Sequence, residues 1–334
     1  MVQLNRLFNV VFIYNSNTKV VVLYILMQTV FLVIALFLLE RSSDWLVEGS
    51  SGLAKKFKVS DLFIGLTIVA FGTSAPELAV SVIGAIQHNG GISIGNVIGS
   101  NMANAALVLG SAIIVGSGLV IKKQTLHYEI PLMILAQLVA TMMLLKSGYL
   151  DFYNGIVLLS FFTVFIAYAF SSSKKGFEEV KVKQRSIFAY SLLTIVGMIG
   201  VTAGGELGVY SAVNLARSFH VSETLIATTI IAFGTSVPEL ATSIKAALKS
   251  KKDLAVGNIV GSNLFNILAV LGISSLLSPI KTDRNINSDL IFMNATGLLL
   301  FFLFLNGKRR AKRWKGILLV SVYGFYIIYE IFVR

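Results

Sequence analysis

Residues 66–110 read LTIVAFGTSAPELAVSVIGAIQHNGGISIGNVIGSNMANAALVLG, and residues 228–272 read TTIIAFGTSVPELATSIKAALKSKKDLAVGNIVGSNLFNILAVLG. The two stretches align without a gap at a constant offset of 162 residues, so Glu77 corresponds to Glu239. Each copy places a carboxylate, a proline and several hydroxyls inside a long apolar segment. Burying a carboxylate in such a segment is costly, and its polar groups need internal partners, so we expect the function to lie in this repeat.

The composition indicates an all-α polytopic membrane protein. The mean hydropathy is +0.80, with 55% hydrophobic and only 13% charged residues, which is far from the balance of a soluble domain. The 334 residues allow ten spans of about 20 residues each, joined by short loops. We predict spans at about 22–48, 61–87, 92–117, 128–146, 151–170, 188–216, 222–248, 254–278, 288–305 and 315–333.

Loop charge predicts the topology of these spans. One side of the membrane would hold 19 lysines and arginines and the other side 7, and cytoplasmic loops are the enriched ones. Both termini are therefore predicted to lie outside the cell. The predicted location of the protein is the cell membrane, inner or plasma. The same count accounts for the net charge of +12, so nucleic acid is not an expected partner.

Each half has five predicted spans. Because five is an odd number, the second half starts on the opposite side of the membrane and is inverted relative to the first. The predicted fold is thus two inverted-topology five-helix repeats, an arrangement that recurs in secondary transporters. The predicted parts are an N-terminal extension at 1–21, a first repeat at 22–170, a cytoplasmic linker at 171–187 and a second repeat at 188–334.

The chemistry of the repeat is that of a cation site. Residues spaced i, i+3 and i+7 share one helix face. The first copy has Ala70, Thr73 and Glu77 at this spacing with Ser74 beside them, and Ala232, Thr235, Ser236 and Glu239 repeat the arrangement. Pro76 and Pro238 cannot donate backbone hydrogen bonds, so each helix is predicted to break beside these groups and to free carbonyls for a cation. The following spans add Ser100 with Asn104, and Ser262 with Asn266.

These ligands are hard oxygen donors, which favour calcium or sodium over zinc or copper. Cysteine is absent, which removes thiolate metal ligands and thiol nucleophiles, and the three histidines lie at or near the ends of apolar runs, which disfavours a histidine-based site. A carboxylate at the membrane centre costs about 2.5–3.5 kcal/mol, so retaining two of them indicates that bound cations offset the cost. Gly95 with Gly99, and Gly257 with Gly261, are spaced to let helices approach closely.

Four acidic residues lie outside this repeat, in the predicted first spans of the two halves. Glu40, Asp44 and Glu48 share a face near the end of the first span, and Asp44 aligns with Glu206. Either an entrance lining or a helix-stabilising role fits them.

At these motifs the sequence resembles the sodium/calcium exchanger family of the cation/calcium antiporters. Its repeats carry GTS-x-PE and GN-x-x-GSN, present here as GTSAPE, GTSVPE, GNVIGSN and GNIVGSN. The resemblance implies ion ligands at Ala70, Thr73, Ser74, Glu77, Ser100, Asn104, Ala232, Thr235, Ser236, Glu239, Ser262 and Asn266, with the two alanines contributing backbone carbonyls. It also implies alternating access, in which the helices near 22–48 and 188–216 slide across the other eight.

The resemblance further implies a minimal prokaryotic exchanger of sodium for calcium, with no cofactor and no enzymatic activity. Some relatives, including potassium-dependent ones, have aspartate where this chain has Asn266, so we expect potassium-independent exchange. The expected partners are sodium, calcium and the lipid bilayer, and the expected functional unit is a monomer.

Three alternatives remain open. A proton/calcium antiporter would load the same glutamates with protons. An intramembrane hydrolase is disfavoured because Ser74 and Ser236 lack a base to activate them. A channel would need a continuous pore.

Overall fold

The computed structural model describes residues 18–116, 118–174, 177, 185–226, 229–230, 232–281, 286–305 and 310–332. Its helices are α1 (Thr18–Lys56), α2 (Asp61–Thr73), α3 (Ala75–Ile86), α4 (Gly90–Val115), α5 (Thr125–Ser147), α6 (Phe152–Ser171), α7 (Ile187–Ser218), α8 (Glu223–Ile226), α9 (Ala232–Gly234), α10 (Val237–Leu248), α11 (Lys252–Leu277), α12 (Asn287–Leu305) and α13 (Arg313–Phe332). The described residues also form four two-residue strands, β1 (Leu119–Val120), β2 (Tyr149–Leu150), β3 (Ile280–Lys281) and β4 (Arg310–Ala311).

The all-helical membrane fold predicted from composition is confirmed. Across the described residues, eight helices are long and apolar enough to cross a membrane, and the bent pair of α2 and α3 raises the number to nine. The predicted span at 222–248 includes residues 227, 228 and 231, which lie outside the described residues. The predicted extension at 1–21 also lies outside them, except for the start of α1.

The two long helices α1 and α7 pack against each other in antiparallel orientation through glycines. A Cβ added to Gly49 would lie 2.6 Å from the Thr194 backbone nitrogen, and one added to Gly197 would lie 2.5 Å from that of Leu46. The predicted first span ended too early, at residue 48, because hydropathy falls in the small residues around Gly49. Those residues are buried against α7, so the helix continues to Lys56.

The most buried helices are α4 and α11, which carry the GN-x-x-GSN motifs. In their most apolar windows 78% and 89% of residues are buried, against 11% for α1. Small residues allow this central packing. A Cβ on Gly257 would lie 2.6 Å from the Leu62 carbonyl oxygen, so the predicted close approach is confirmed at this glycine. Gly95 has no such neighbour within the described residues, and residues 227 and 228, which align with Gly65 and Leu66, lie outside them.

Loops gather at two opposite ends of the helical body. At one end, Lys122 Nζ lies 2.6 Å from Asp253 Oδ2, Lys251 Nζ lies 2.9 Å from Asp61 Oδ2, and β1 pairs with β4. We name this end, formed by residues 55–60, 118–124, 249–253 and 310–312, the lysine-rich face. The opposite face, formed by residues 87–90, 148–151 and 278–281, contains the pairing of β2 with β3.

The sequence offset of 162 residues also relates local structures. The non-glycine residues with positive φ in the described chain are Lys58 and His220, at 54° and 58°, and His88 and Ser250, at 56° and 60°. Each pair is separated by this offset. The strand pairing of Leu119 with Ala311 maps in the same way onto that of Lys281 with Tyr149. Turns and strand contacts therefore repeat along with the motifs.

Candidate cation site

A helix break occurs in both copies of the repeat, as the prolines predict. Helices α2 and α3 meet at an angle of 48°, with Ser74 between them and Pro76 in the first turn of α3. Ser236 precedes α10 in the same way, with Pro238 in its first turn. The backbone angles agree, at φ −90° and ψ 12° for Ser74 and φ −86° and ψ 4° for Ser236. The same residues thus produce the same interruption twice.

Two carboxylates lie at these breaks, and both are fully buried. Glu239 accepts hydrogen bonds at Oε1 from Ser74 Oγ at 2.8 Å and from Ser262 Oγ at 3.4 Å. Ser74 belongs to the first copy and Glu239 to the second, so the two halves meet at this point. Neither carboxylate oxygen of Glu77 has a hydrogen-bond partner among the described residues, nor has Oε2 of Glu239.

The threonines of the GTS segments bond to asparagines of the opposite half. Thr73 Oγ1 donates to Asn258 Oδ1 at 3.1 Å, and Thr235 Oγ1 donates to Asn96 Oδ1 at 3.3 Å. Asn96 also donates to the Glu77 carbonyl oxygen at 3.0 Å. These two asparagines were not among the site residues predicted from the sequence. The available signal was that each is the first asparagine of a GN-x-x-GSN motif at the repeat offset.

The remaining predicted residues differ in how closely they join this cluster. Ser100 Oγ lies 3.1 Å from Thr235 Oγ1. Asn104 and Asn266 are fully buried in π-helical turns of α4 and α11, and their side-chain oxygens and nitrogens have no partner in the described part of the chain. The Ala70 carbonyl oxygen already accepts the backbone N–H of Ser74 at 3.0 Å. Ala232 begins α9.

Two further asparagines join the halves near the centre. Asn101 Nδ2 donates to the Asn263 carbonyl oxygen at 3.2 Å, and Asn263 Nδ2 donates to that of Asn101 at 3.3 Å. The two bonds are reciprocal and related by the offset of 162 residues. They join α4 to α11.

The unpaired polar atoms fit a bound cation. A buried carboxylate or amide oxygen without a partner is costly, and a cation bound there would satisfy it. Among the described residues, no three His, Cys, Asp or Glu side chains lie close enough together to hold a metal ion. A cation here would therefore rely on hydroxyls, amides, carbonyls and two carboxylates. Oxygen donors of this kind suit hard cations such as sodium and calcium.

Access to the cluster differs between its two ends. Thr73 and Asn258, on the side of the lysine-rich face, are fully buried. Their counterparts Thr235 and Asn96, on the side of the opposite face, are only partly buried. The arrangement is therefore closed toward the lysine-rich face and more open toward the opposite face.

Comparison with known proteins agrees with this geometry. The profile of the family described as sodium/calcium exchanger protein matches residues 27–171 and 189–332. The chain belongs to this family. CaxA of Alkalimonas amylolytica, which is named as an antiporter, is 35% identical over 319 residues, covering 91% of this chain and 99% of CaxA. The sodium/calcium exchanger MaX1 of Methanosarcina acetivorans is 29% identical, covering 89% of this chain and 96% of MaX1.

The fold also matches a solved exchanger. The structure of the sodium-calcium exchanger NCX_Mj soaked with Na⁺ and Sr²⁺ superposes with a TM-score of 0.80 at 32% identity, covering 91% of this chain and 98% of NCX_Mj. Membership of the sodium/calcium exchanger family makes this chain a multi-pass membrane antiporter, which confirms the resemblance seen in the repeated motifs.

Proposed function

We propose that this protein exchanges sodium for calcium across the cell membrane by alternating access. The observation that carries the proposal is the pair of buried carboxylates, Glu77 and Glu239, whose unpaired oxygens lie among hydroxyls and amides. Buried ionisable groups at helix breaks in membrane proteins are typical of ion pathways. MaX1 and NCX_Mj, both named as sodium/calcium exchangers, support sodium as the coupling ion.

The proposed ligands are the set predicted from the motifs. Helix breaks in both copies and the bonds between the halves support this set, since they bring the Ser74 hydroxyl to the Glu239 carboxylate and the Ser100 hydroxyl to that of Thr235. The ligands are Ala70, Thr73, Ser74, Glu77, Ser100 and Asn104 with Ala232, Thr235, Ser236, Glu239, Ser262 and Asn266. Asn96 and Asn258 position the threonines.

The proposed architecture is ten spans in two inverted five-helix repeats, at 22–170 and 188–334, joined by the linker at 171–187. The repeated turns, strand pairings and asparagine bonds support it, because one sequence offset relates them all. The excess of lysine and arginine supports a cytoplasmic position for the lysine-rich face, with both termini outside.

Charge arithmetic gives the proposed mechanism. With two carboxylates, one calcium ion leaves the site neutral, and the three sodium ions of the family stoichiometry leave it at +1. Exchange would then move net charge and depend on membrane potential. An empty site would carry two uncompensated charges through a low-dielectric region, which is costly and suppresses leak. Asn104 and Asn266 are neutral, so the site lacks the aspartate that some relatives, including potassium-dependent ones, have at the position of Asn266. We therefore propose that exchange does not need potassium.

Purified protein in proteoliposomes tests the proposal, with sodium, potassium and pH gradients imposed separately. Radiolabelled calcium uptake should follow an opposed sodium gradient and should not change with potassium. Uptake that follows a pH gradient and ignores sodium would replace this proposal with proton/calcium antiport. Calcium flux with no counter-ion on the opposite side would indicate a channel.

A further inference from the structure

A cluster of four charged side chains lies outside the cation site and connects α1 to α10. Lys245 Nζ lies 2.6 Å from Glu40 Oε1 and 3.2 Å from Asp44 Oδ1, and Lys249 Nζ lies 2.7 Å from the same Asp44 oxygen. We name these four residues the α1–α10 cluster. Arg41, the other cation near Glu40, is on α1 itself and so does not join the two helices.

The α1–α10 cluster exists in one half of the protein only. Lys245 and Lys249 of α10 align with Ile83 and Gln87 in the first copy. Glu40 aligns with Thr202, and Asp44 with Glu206, which is exposed on α7. The mirror position thus has one carboxylate and no lysine. Any contact that forms in only one of two related arrangements favours the arrangement in which it forms.

The cluster lies in the half of the molecule where the cation site is closed. It joins α1 to α10 between Pro238 and the lysine-rich face, the side on which Thr73 and Asn258 are fully buried. On the other side, where Thr235 and Asn96 are partly exposed, no lysine of the repeat faces Glu206.

Apolar side chains also hold α1 against α10, since Leu39 and Val47 of α1 share a buried apolar cluster with Ala246 of α10, and two apolar cavities flank the α1 and α7 pair. One cavity of about 480 Å³ lies between the pair and helices α2, α6 and α11. A second of about 470 Å³ lies between the pair and α9 and α10, beside Glu40 and Lys245. Apolar contacts and cavities are not directional, whereas the ion pairs are directional contacts that favour one position of α1 relative to α10.

We propose that the α1–α10 cluster holds the cation site closed toward the lysine-rich face and thereby sets the sidedness of exchange. Sidedness here means the ratio of the apparent calcium affinities at the two membrane faces. This inference rests on the proposed alternating access. Apparent affinity at a face scales with the population that is open to it, so a cluster that favours one arrangement strengthens binding at the opposite face.

The first test replaces the two lysines of α10 with the residues found at the aligned positions of the first copy, Ile83 and Gln87. In Lys245→Ile with Lys249→Gln, α10 carries the side chains that α3 already accommodates at these positions. The expected result is a shift of about fivefold in the ratio of apparent calcium affinities, toward the lysine-rich face, since partly exposed ion pairs contribute modestly. The ratio is measured as sodium-dependent calcium uptake into inside-out and right-side-out membrane vesicles.

The second test builds the mirror cluster in otherwise intact protein. Gln87→Lys places a cation where Glu206 can pair with it, as Lys249 pairs with Asp44. The ratio should move in the same direction as in the first variant, toward the lysine-rich face, because the added pair closes the opposite face. Combining Gln87→Lys with the first variant should move the ratio further than either change alone.

The matched control is Lys251→Asn, which introduces the residue found at the aligned position 89. It removes the ion pair of Lys251 with Asp61 on the same face, a pair that does not include a residue of α1. The ratio should stay at the wild-type value. An unchanged ratio in both cluster variants, with normal wild-type exchange, would overturn the inference. Absence of sodium-dependent exchange in the wild type would instead overturn the proposed function.

Discussion

Glu77 and Glu239 are the residues on which the proposed mechanism depends most directly. Calcium affinity depends strongly on the number of charged ligands in a site. We therefore expect Glu77→Gln and Glu239→Gln each to reduce calcium exchange by about 100-fold or more while the protein remains folded. Calcium uptake into proteoliposomes measures the loss, and size-exclusion chromatography in detergent checks the fold.

Glu129 provides a matched control for these two variants. It is also a fully buried carboxylate, but it accepts hydrogen bonds from Gln124 at 2.9 Å and from Tyr168 at 2.8 Å, away from the cation cluster. Glu129→Gln keeps an acceptor oxygen for both donors, so exchange should persist. Near-normal exchange in either site variant, or equal loss in the control, would contradict the assignment of Glu77 and Glu239.

At the scale of single elements, the contact between α2 and α11 depends on glycine. A Cβ on Gly257 would meet the backbone of α2, which cannot move aside as a flexible side chain can. We expect Gly257→Ala to destabilise the protein by about 1–3 kcal/mol, the range for overpacking. The measurement is the midpoint of thermal unfolding in detergent.

Gly324→Ala in α13 is the comparison for this variant. No atom of the described chain lies within 4 Å of a Cβ added at Gly324. The substitution therefore adds a methyl group to a helix without a clash, and the unfolding midpoint should not fall. A similar loss of stability in the two variants would show that helix propensity, not the contact with α2, determines the result.

The sequence alone was sufficient to predict those structural features that depend only on local chemistry. The breaks before Pro76 and Pro238 were predictable because proline lacks a backbone donor whatever surrounds it. The bond from Ser74 to Glu239 was not predictable, since it depends on how the two halves pack. The same holds for the α1–α10 cluster, whose residues lie about 200 positions apart along the chain. The length of α1 was missed because hydropathy does not register burial against another helix.

For the whole molecule, the proposed stoichiometry makes exchange depend on membrane potential. One net charge moved per cycle is worth about 2.3 kcal/mol per 100 mV, which corresponds to about a 50-fold change in the equilibrium calcium gradient. Proteoliposomes clamped at different potassium diffusion potentials should show this dependence. A calcium gradient that stays constant when the potential changes would indicate electroneutral exchange.

The orientation of the whole molecule is testable because the chain contains no cysteine. Single cysteines at Lys123, on the lysine-rich face, and at Lys146, near the opposite face, would each be the sole thiol. A membrane-impermeant thiol reagent applied outside intact cells should label Lys146→Cys and spare Lys123→Cys. The reverse pattern would invert the proposed topology and with it the side that the α1–α10 cluster closes.

The small strand pairs limit which movements the protein can make. Strand β1 comes from the first half and β4 from the second, and β2 and β3 join the halves in the same way at the other end. The hydrogen bonds between Asn101 and Asn263 also join the halves, so the halves are connected at both ends and in the middle. If two rigid halves tilted against each other, one of these sets of hydrogen bonds would have to break in every cycle. Displacement of α1 and α7 over a body that stays intact requires no such break, so we expect ions to cross while most of the structure keeps its contacts.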